Sequence, residues 1–290
     1  MKTKYAAALA GLSMLFSLTA LAQDSDHSWS KSYPVSGKPT LTFETGDANV
    51  AIHPCGDCGA IRIQIELEGR KLSDYRLEEG QSGNEVHFLF KELPRMGGHI
   101  GWHREQTQVT VETPAQLTLQ ARTSDGSVNV SGLQGDLSVT SGDGNVEIDH
   151  VSGNLRIRSG DGRVRVTDAE GSIDAHTSDA SLNIDGLFHA LAVQTSDGKV
   201  DLNLREGTKL ATASTIQSSD GSVTLHVPAN FAADLDVHTS DGHVDCALPI
   251  AMDHYQSGGG DGGKLRGKLN GGGAPLTIST SDGNVRIEQI

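Results

Sequence analysis

Three groups of residues have types and spacings that could do chemistry. The largest is a column of aspartates, Asp125, Asp143, Asp161, Asp179 and Asp197, at a constant step of eighteen, with Asp220, Asp241 and Asp282 at looser intervals and a weaker copy at Asp47. Carboxylates repeated at fixed intervals are the raw material of a cation ladder, and calcium is the ion that such all-oxygen sites take. The second group is His53, Cys55 and Cys58 in HPCGDC, which offers three zinc ligands, one short of a closed structural site, or else a pair of cysteines placed to form a disulfide. The third is His99, Trp102 and His103 in PRMGGHIGWHREQ (94–106), where an exposed tryptophan would give a contact for a sugar or a protein. A tryptophan tucked under its own loop is the plainer alternative.

The elements that must position these residues are set by the repeat. Six residues before each aspartate stands Leu119, Leu137, Leu155 or Ile173, and four before stands Ala121, Val139, Ile157 or Ala175. Two before is always a hydroxyl, such as Thr123, Ser141, Ser159 and Thr177, and after the turn come pairs such as Val128/Val130 and Val146/Ile148. Both flanks alternate with period two, so one row of side chains points inward and the next outward, and the hydroxyls fall on the inward phase. A fixed period of this kind is the signature of a solenoid. The expectation is an all-β, single-chain β-solenoid, parallel β-helix-like, with coils of about 18 residues and an N-terminal β-hairpin-rich cap. Strands stacked about 4.8 Å apart would make the nine motif copies a rod of roughly 40 Å. Each repeat buries about four aliphatic side chains, very roughly 1.5–3 kcal/mol apiece before chain entropy, so no repeat stands alone and the stack does.

Placed in that architecture, the chemical candidates shrink. The aspartates Asp125, Asp143, Asp161, Asp179, Asp197, Asp220, Asp241 and Asp282 read as turn formers: Asp bonds the backbone ahead of it and Gly accepts positive φ. Stacked carboxylates cost at most ~1 kcal/mol per neighbour in water, and a turn hydrogen bond returns about as much. The calcium-binding nonapeptide pattern needs a ligand aspartate where this chain has Val146, so no cofactor is expected. Cys55 and Cys58 lie between strand-like runs, which favours a disulfide over a redox or zinc centre. Cys246 takes an aliphatic position of the repeat and reads as a buried core thiol, while His176, His238 and His243 fall on outward positions.

Residues 1–22 read as a cleavable signal peptide: Lys2 and Lys4, an apolar run from Tyr5 to Leu21, then Ala20-Leu21-Ala22. No cysteine follows the run to carry a lipid anchor, and no later segment reaches the roughly 20 apolar residues of a membrane span. A periplasmic or secreted protein is expected. Residues 23–40 read as a flexible lead-in, 41–122 as a first rung plus the cap, 123–252 as regular solenoid, 253–275 as a Gly-rich basic insert, and 276–290 as a final rung. The basic strand KLRGKLN inside the insert is expected to cover the far end, because Lys and Arg on an edge discourage edge-to-edge pairing. The chain stops after a complete half-rung, which leaves end-to-end self-association open.

Removing the leader takes the net charge of −14 two units down, to −16, which makes nucleic acid and anionic lipid poor partners. Motifs such as G-x-S-x-G, H-E-x-x-H and a Walker loop are absent. The order QVTVETPAQLTLQARTSDGSVNVSGLQGDLSVTSGDGNVEI, followed by LRGKLNGGGAPLTISTSDGNVRI, resembles the bacterial β-strand-repeat family usually labelled putative adhesin, over roughly residues 40–290. The resemblance implies an envelope-associated or secreted β-solenoid, with adhesion by analogy and no established active site. The functional expectation is a non-catalytic binding or scaffold protein of the bacterial envelope, its partner a glycan or a surface protein. The alternative is a carbohydrate-active enzyme with an acidic groove on a solenoid face.

Overall fold

The computed structural model describes residues 23–94, 105–256 and 262–290, and these are all β apart from one turn of 3-10 helix at Leu72–Asp74. Each repeat gives one strand before its aspartate and one after, as in Gln116–Thr123 then Val128–Ser131, and Gln134–Ser141 then Val146–Asp149. Strands before the aspartate stack in parallel to form a long-strand sheet; strands after it form a short-strand sheet. Between them lies one core of stacked aliphatic columns, with Leu119, Leu137, Leu155 and Ile173 side by side in one and Val128, Val146, Val164 and Leu182 in another. The period-two reading holds: in Gln134–Ser141, Leu137, Val139 and Ser141 are buried while Ser138 and Thr140 face outward.

The turn works differently from the sequence expectation. Among the described residues no aspartate of the column donates or accepts a side-chain bond to the turn backbone; the inward hydroxyl two residues earlier does so. The Gly198, Gly242 and Gly283 N–H groups donate to Oγ1 of Thr195, Thr239 and Thr280 at 3.2, 3.0 and 3.1 Å. The same hydroxyls donate onward, Thr195 to the Ser178 carbonyl at 3.0 Å, Thr239 to that of Ser281 at 3.2 Å and Thr280 to that of Ser219 at 2.9 Å, so each of these three both closes its own turn and ties it to the neighbouring coil. The glycines after the aspartates are not at positive φ either. They are there for space, since a Cβ on Gly144 would lie 2.1 Å from the Gly126 carbonyl oxygen. Ala180 takes this place in one coil, fully buried.

Left-handed backbone belongs to the opposite corner. Gly135, Gly153 and Gly171, again eighteen apart, have φ of 133°, 118° and 127°, and a Cβ on Gly153 would sit 2.2 Å from the Gly135 carbonyl oxygen. The next coil has His189 at this step, and there the strand pairing slips: Gly171 lies opposite Phe188 and Ser172 opposite Ala190, leaving His189 in a bulge.

Both ends of the stack are built by intercalation. Thr40–Thr45 lies between Glu85–Glu92 and Gln116–Thr123, and Asn49–Pro54 between Gln106–Thr113 and Val128–Ser131, all parallel. The first rung is therefore inside the stack, and Glu85–Glu92 and Gln106–Thr113 supply the strands beyond it. At the other end Pro275–Thr280 lies between Ser214–Ser218 and Ala233–Thr239, and Val285–Gln289 between Val223–Val227 and Val244–Cys246. The last residues of the chain are thus also enclosed, a correction to their expected place at the open end. Gly263–Leu269 does cover that end of the long-strand sheet, antiparallel to Ala233–Thr239, with Ile250–Gln256 outside it.

The lead-in 23–40 is also corrected. Ser28–Pro34 is a strand antiparallel to Ala60–Glu68, carrying buried Trp29 and Tyr33, with Gln23–Ser25 folded onto it. Trp29 and Phe43 both pack on Phe88, at centroid distances of 5.6 and 5.3 Å, so the chain's few aromatics concentrate in the cap.

Gly153→Ala should lower the stability of the purified protein by more than about 1 kcal/mol, read as a drop in melting temperature of at least about 2 °C. Deleting 271–290 removes a rung from between two others, so the shortened chain should lose protease resistance from Arg205 onward while the coils before it stay resistant. Resistance retained through Gln256 would mean that the last strands sit at the end of the stack.

Candidate functional site

The outer face of the long-strand sheet carries aligned polar rows, because each outward residue lies in register with its equivalents eighteen residues away. Over the coils from Gln116 to Thr177 these rows floor an open groove of about 700 Å³, lined by side chains that include Gln120, Arg122, Ser138, Asn154, Arg156 and Arg158. Its side chains bond along the rows: Asn154 Nδ2 donates to Asp136 Oδ1 at 2.8 Å, and Ser172 Oγ to Asn154 Oδ1 at 2.7 Å. Lys38 Nζ meets Asp136 Oδ2 at 2.7 Å. Asp174 takes Arg156 at 3.1 Å, Arg158 at 3.3 Å and His176 Nε2 at 2.9 Å.

The two carboxylates are held in their charged forms. Hydrogen bonds from Lys38 and Asn154 keep the Asp136 pKa below its ordinary value. At Asp174 burial works in the opposite direction, but the bonds from Arg156 and Arg158 outweigh it and the pKa is again lowered. Neither carboxyl is tuned as a proton donor for glycoside hydrolysis.

The aspartate column runs along the neighbouring corner, every member exposed. Its order in space is set by the turn bonds: Asp220 N–H donates to the Ser196 carbonyl, Asp282 N–H to that of Ser219 and Asp241 N–H to that of Ser281. Asp282 therefore stands between Asp220 and Asp241. Its pKa is raised, by desolvation and then by the charges of Asp220 and Asp241. Asp47 is raised as well, by burial first and then by Asp125.

The Toastrack DUF4097 family model matches residues 39–288. The chain belongs to the Toastrack family. Comparison of this Toastrack chain with curated proteins finds no match. Among solved structures, it is similar to one described as a putative lipid binding protein from Parabacteroides distasonis, at 14% identity over 90% of this chain and 96% of that one, with a TM-score of 0.53. It is also similar to putative adhesins from Bacteroides fragilis (12% identity, 92% and 98% covered, TM-score 0.42) and Parabacteroides merdae (12%, 91% and 99%, TM-score 0.41). At these identities the likeness concerns the fold alone.

The remaining candidates of the Toastrack chain separate. Cys55 and Cys58 form a disulfide with their Cα atoms 5.8 Å apart, which leaves His53 without two of the ligands a zinc site would need. Cys246 is partly buried against the margin of the core rather than fully inside it, because among the described residues Val244–Cys246 pairs only with Val285–Gln289. Partial burial pushes its thiol pKa up. His99, Trp102 and His103 lie outside the described residues. Glu92 and Glu105, which bracket them, both ion-pair with Arg70, a guanidinium only 5% exposed.

One cluster was missed in the sequence. His150 Nδ1 lies 2.6 Å from Asp149 Oδ2 and its Nε2 3.1 Å from Asp168 Oδ2, so three metal-ligating side chains converge. Arg205 already pairs with Asp168 and Asp185 beside them. The available signal was the eighteen-residue step from His150 to Asp168, which places both at one corner with φ near 50°.

The pH behaviour of the aspartate column is a test of its order. A carboxyl whose folded pKa is raised disfavours folding when ionised, fully at neutral pH and not at all below its unfolded value. Asp282→Asn should therefore melt above the parent at pH 7 and level with it near pH 3.

Proposed function

We propose that the protein is a non-catalytic binding protein of the bacterial cell envelope, which holds an extended polar polymer, a glycan, along the outer face of its long-strand sheet. The observation that carries this reading is the open groove of about 700 Å³, lined by rows of hydroxyl, amide and guanidinium groups with the two carboxylates of Asp136 and Asp174 among them. Rows spaced by about 4.8 Å suit a chain molecule that repeats its own hydroxyls at a similar interval. An enzyme is disfavoured because Asp136 and Asp174 are both held ionised by their partners. The leader-like residues 1–22 and the Cys55–Cys58 disulfide support an oxidising, extracytoplasmic location. No helix among the described residues is long and apolar enough to cross a membrane. The resemblance to proteins labelled adhesins points the same way.

The test is a screen of residues 23–290 against bacterial and host glycans, peptidoglycan and envelope proteins, repeated with Ser138→Trp, which fills the groove from an outward position. Saturable glycan binding that Ser138→Trp abolishes supports the reading. Binding lost on Trp102→Ala and untouched by Ser138→Trp would move the contact to the 94–106 segment. Release of reducing ends from any glycan would replace binding by catalysis.

A further inference from the structure

Charge is distributed unevenly over this acidic molecule. One outward row of the long-strand sheet can be followed through the pairing register from Arg122 through Thr140, Arg158 and His176 to His238 and Lys264 at the far end, the three members between His176 and His238 being Gln or Ser. From Arg122 to Lys264 no member is acidic, in a chain of formal charge −14, and Glu44, which continues the row beyond Arg122, is paired with Lys91. The equivalent row on the short-strand sheet mixes the acids Glu147, Asp201 and Asp245 with Arg165 and Arg286.

Within the groove the surplus is positive. Arg122, Arg156 and Arg158 face two carboxylates, Asp136 and Asp174, and Asp136 is already met by Lys38 from outside the row. Arg156, Arg158 and His176 share the single charge of Asp174, with Arg156 and Arg158 61% and 42% exposed. Arg122 is exposed and takes part in no ion pair among the described residues; its neighbour in register, Glu44, is paired with Lys91. The aspartate column starts three residues further along, up to about 10 Å away, which is roughly a Debye length at physiological salt. Salt therefore weakens its repulsion at the row without abolishing it.

We infer that the groove selects an acidic polysaccharide with one carboxylate on every second sugar, lying across the strands along the Arg122–Thr140–Arg158 row. Arg122 and Arg158 are two coils apart, about 9.6 Å, on the order of the length of a disaccharide in an extended chain. Thr140 between them offers a hydroxyl and no charge, which suits an uncharged sugar. Guanidinium groups take carboxylates in a bidentate fashion, so position along the row as well as charge contributes to selection.

The inference rests on the glycan-binding reading and can fail without it. Residues 23–290 are titrated with hyaluronan oligosaccharides, which carry one carboxylate per disaccharide, with oligogalacturonates, which carry one on every sugar, and with neutral dextran of matched length. Hyaluronan should bind tightest, with affinity falling as salt is raised. Arg122→Gln/Arg158→Gln should weaken it at least about tenfold, and Lys264→Gln, at the far end of the same row, should leave it unchanged. All these side chains are exposed, and circular dichroism checks that the fold is kept. Dextran binding as tight as hyaluronan, or an Arg122→Gln/Arg158→Gln protein with unchanged affinity, overturns the inference and leaves glycan binding standing. Oligogalacturonate binding tighter than hyaluronan overturns the disaccharide spacing. Binding of none of the three overturns the inference as well, and the wider glycan screen then decides the broader reading.

Discussion

The hydrogen-bonded contact between successive coils is the constraint on which everything else depends. Asp143 N–H donates to the Ser124 carbonyl and Asp197 N–H to that of Ser178, so even the corners are tied from coil to coil. Strand ladders do the same along both sheets. A ladder without slips places identical positions of the repeat on top of one another. Leucine then packs on leucine, and inward hydroxyls such as those of Thr195, Thr239 and Thr280 bond to a carbonyl of the neighbouring coil, which satisfies them inside the stack. The close approach also explains the glycines, because a Cβ at Gly144 or Gly153 would strike the backbone of the preceding coil.

The same register creates the face on which function is proposed. On the inside, stacking like on like is favourable, since aliphatic side chains attract one another without direction. On the outside it makes any charged position into a row, and like charges about 4.8 Å apart repel. The molecule tolerates this in two ways. The aspartate column is exposed to water, where the cost is small, and at Asp282 and Asp47 desolvation adds to it. The groove instead interleaves its charges, with Asp174 set among Arg156, Arg158 and His176 and Asp136 between Lys38 and Asn154. Fixed guanidiniums and amides result, held by their neighbours at known spacing, and that preorganisation is what a weakly binding polymer needs from a surface.

A stack must also stop. An open edge invites another strand, and this chain closes its ends by enclosing its own earliest and latest coils inside the rod. The outer positions go to antiparallel strands, with Tyr75–Ser82 at one end and Gly263–Leu269 and Ile250–Gln256 at the other. Arg70 ties Glu92 to Glu105 near the first of these ends.

Much of this was written in the sequence, because a repeat states its local geometry many times over. The eighteen-residue step, the inward aliphatic pairs, the inward hydroxyls and the all-β stack could be read from the columns Leu119 to Ile173 and Thr123 to Thr177 alone. Which group closes the turn could not, since the Thr195 hydroxyl and the Asp197 carboxylate are both able to bond there and only the packed corner shows that the hydroxyl reaches. The order of the coils was also hidden. A parallel ladder pairs any repeat with any other equally well, so nothing local says that Asp282 belongs between Asp220 and Asp241 or that Thr40–Thr45 enters between later strands. The groove stayed illegible for the same reason: Arg122, Arg158 and Asp174 are scattered outward residues until the register lines them up. Periodicity determined what each residue faces, and the tertiary stack decided which residues face together.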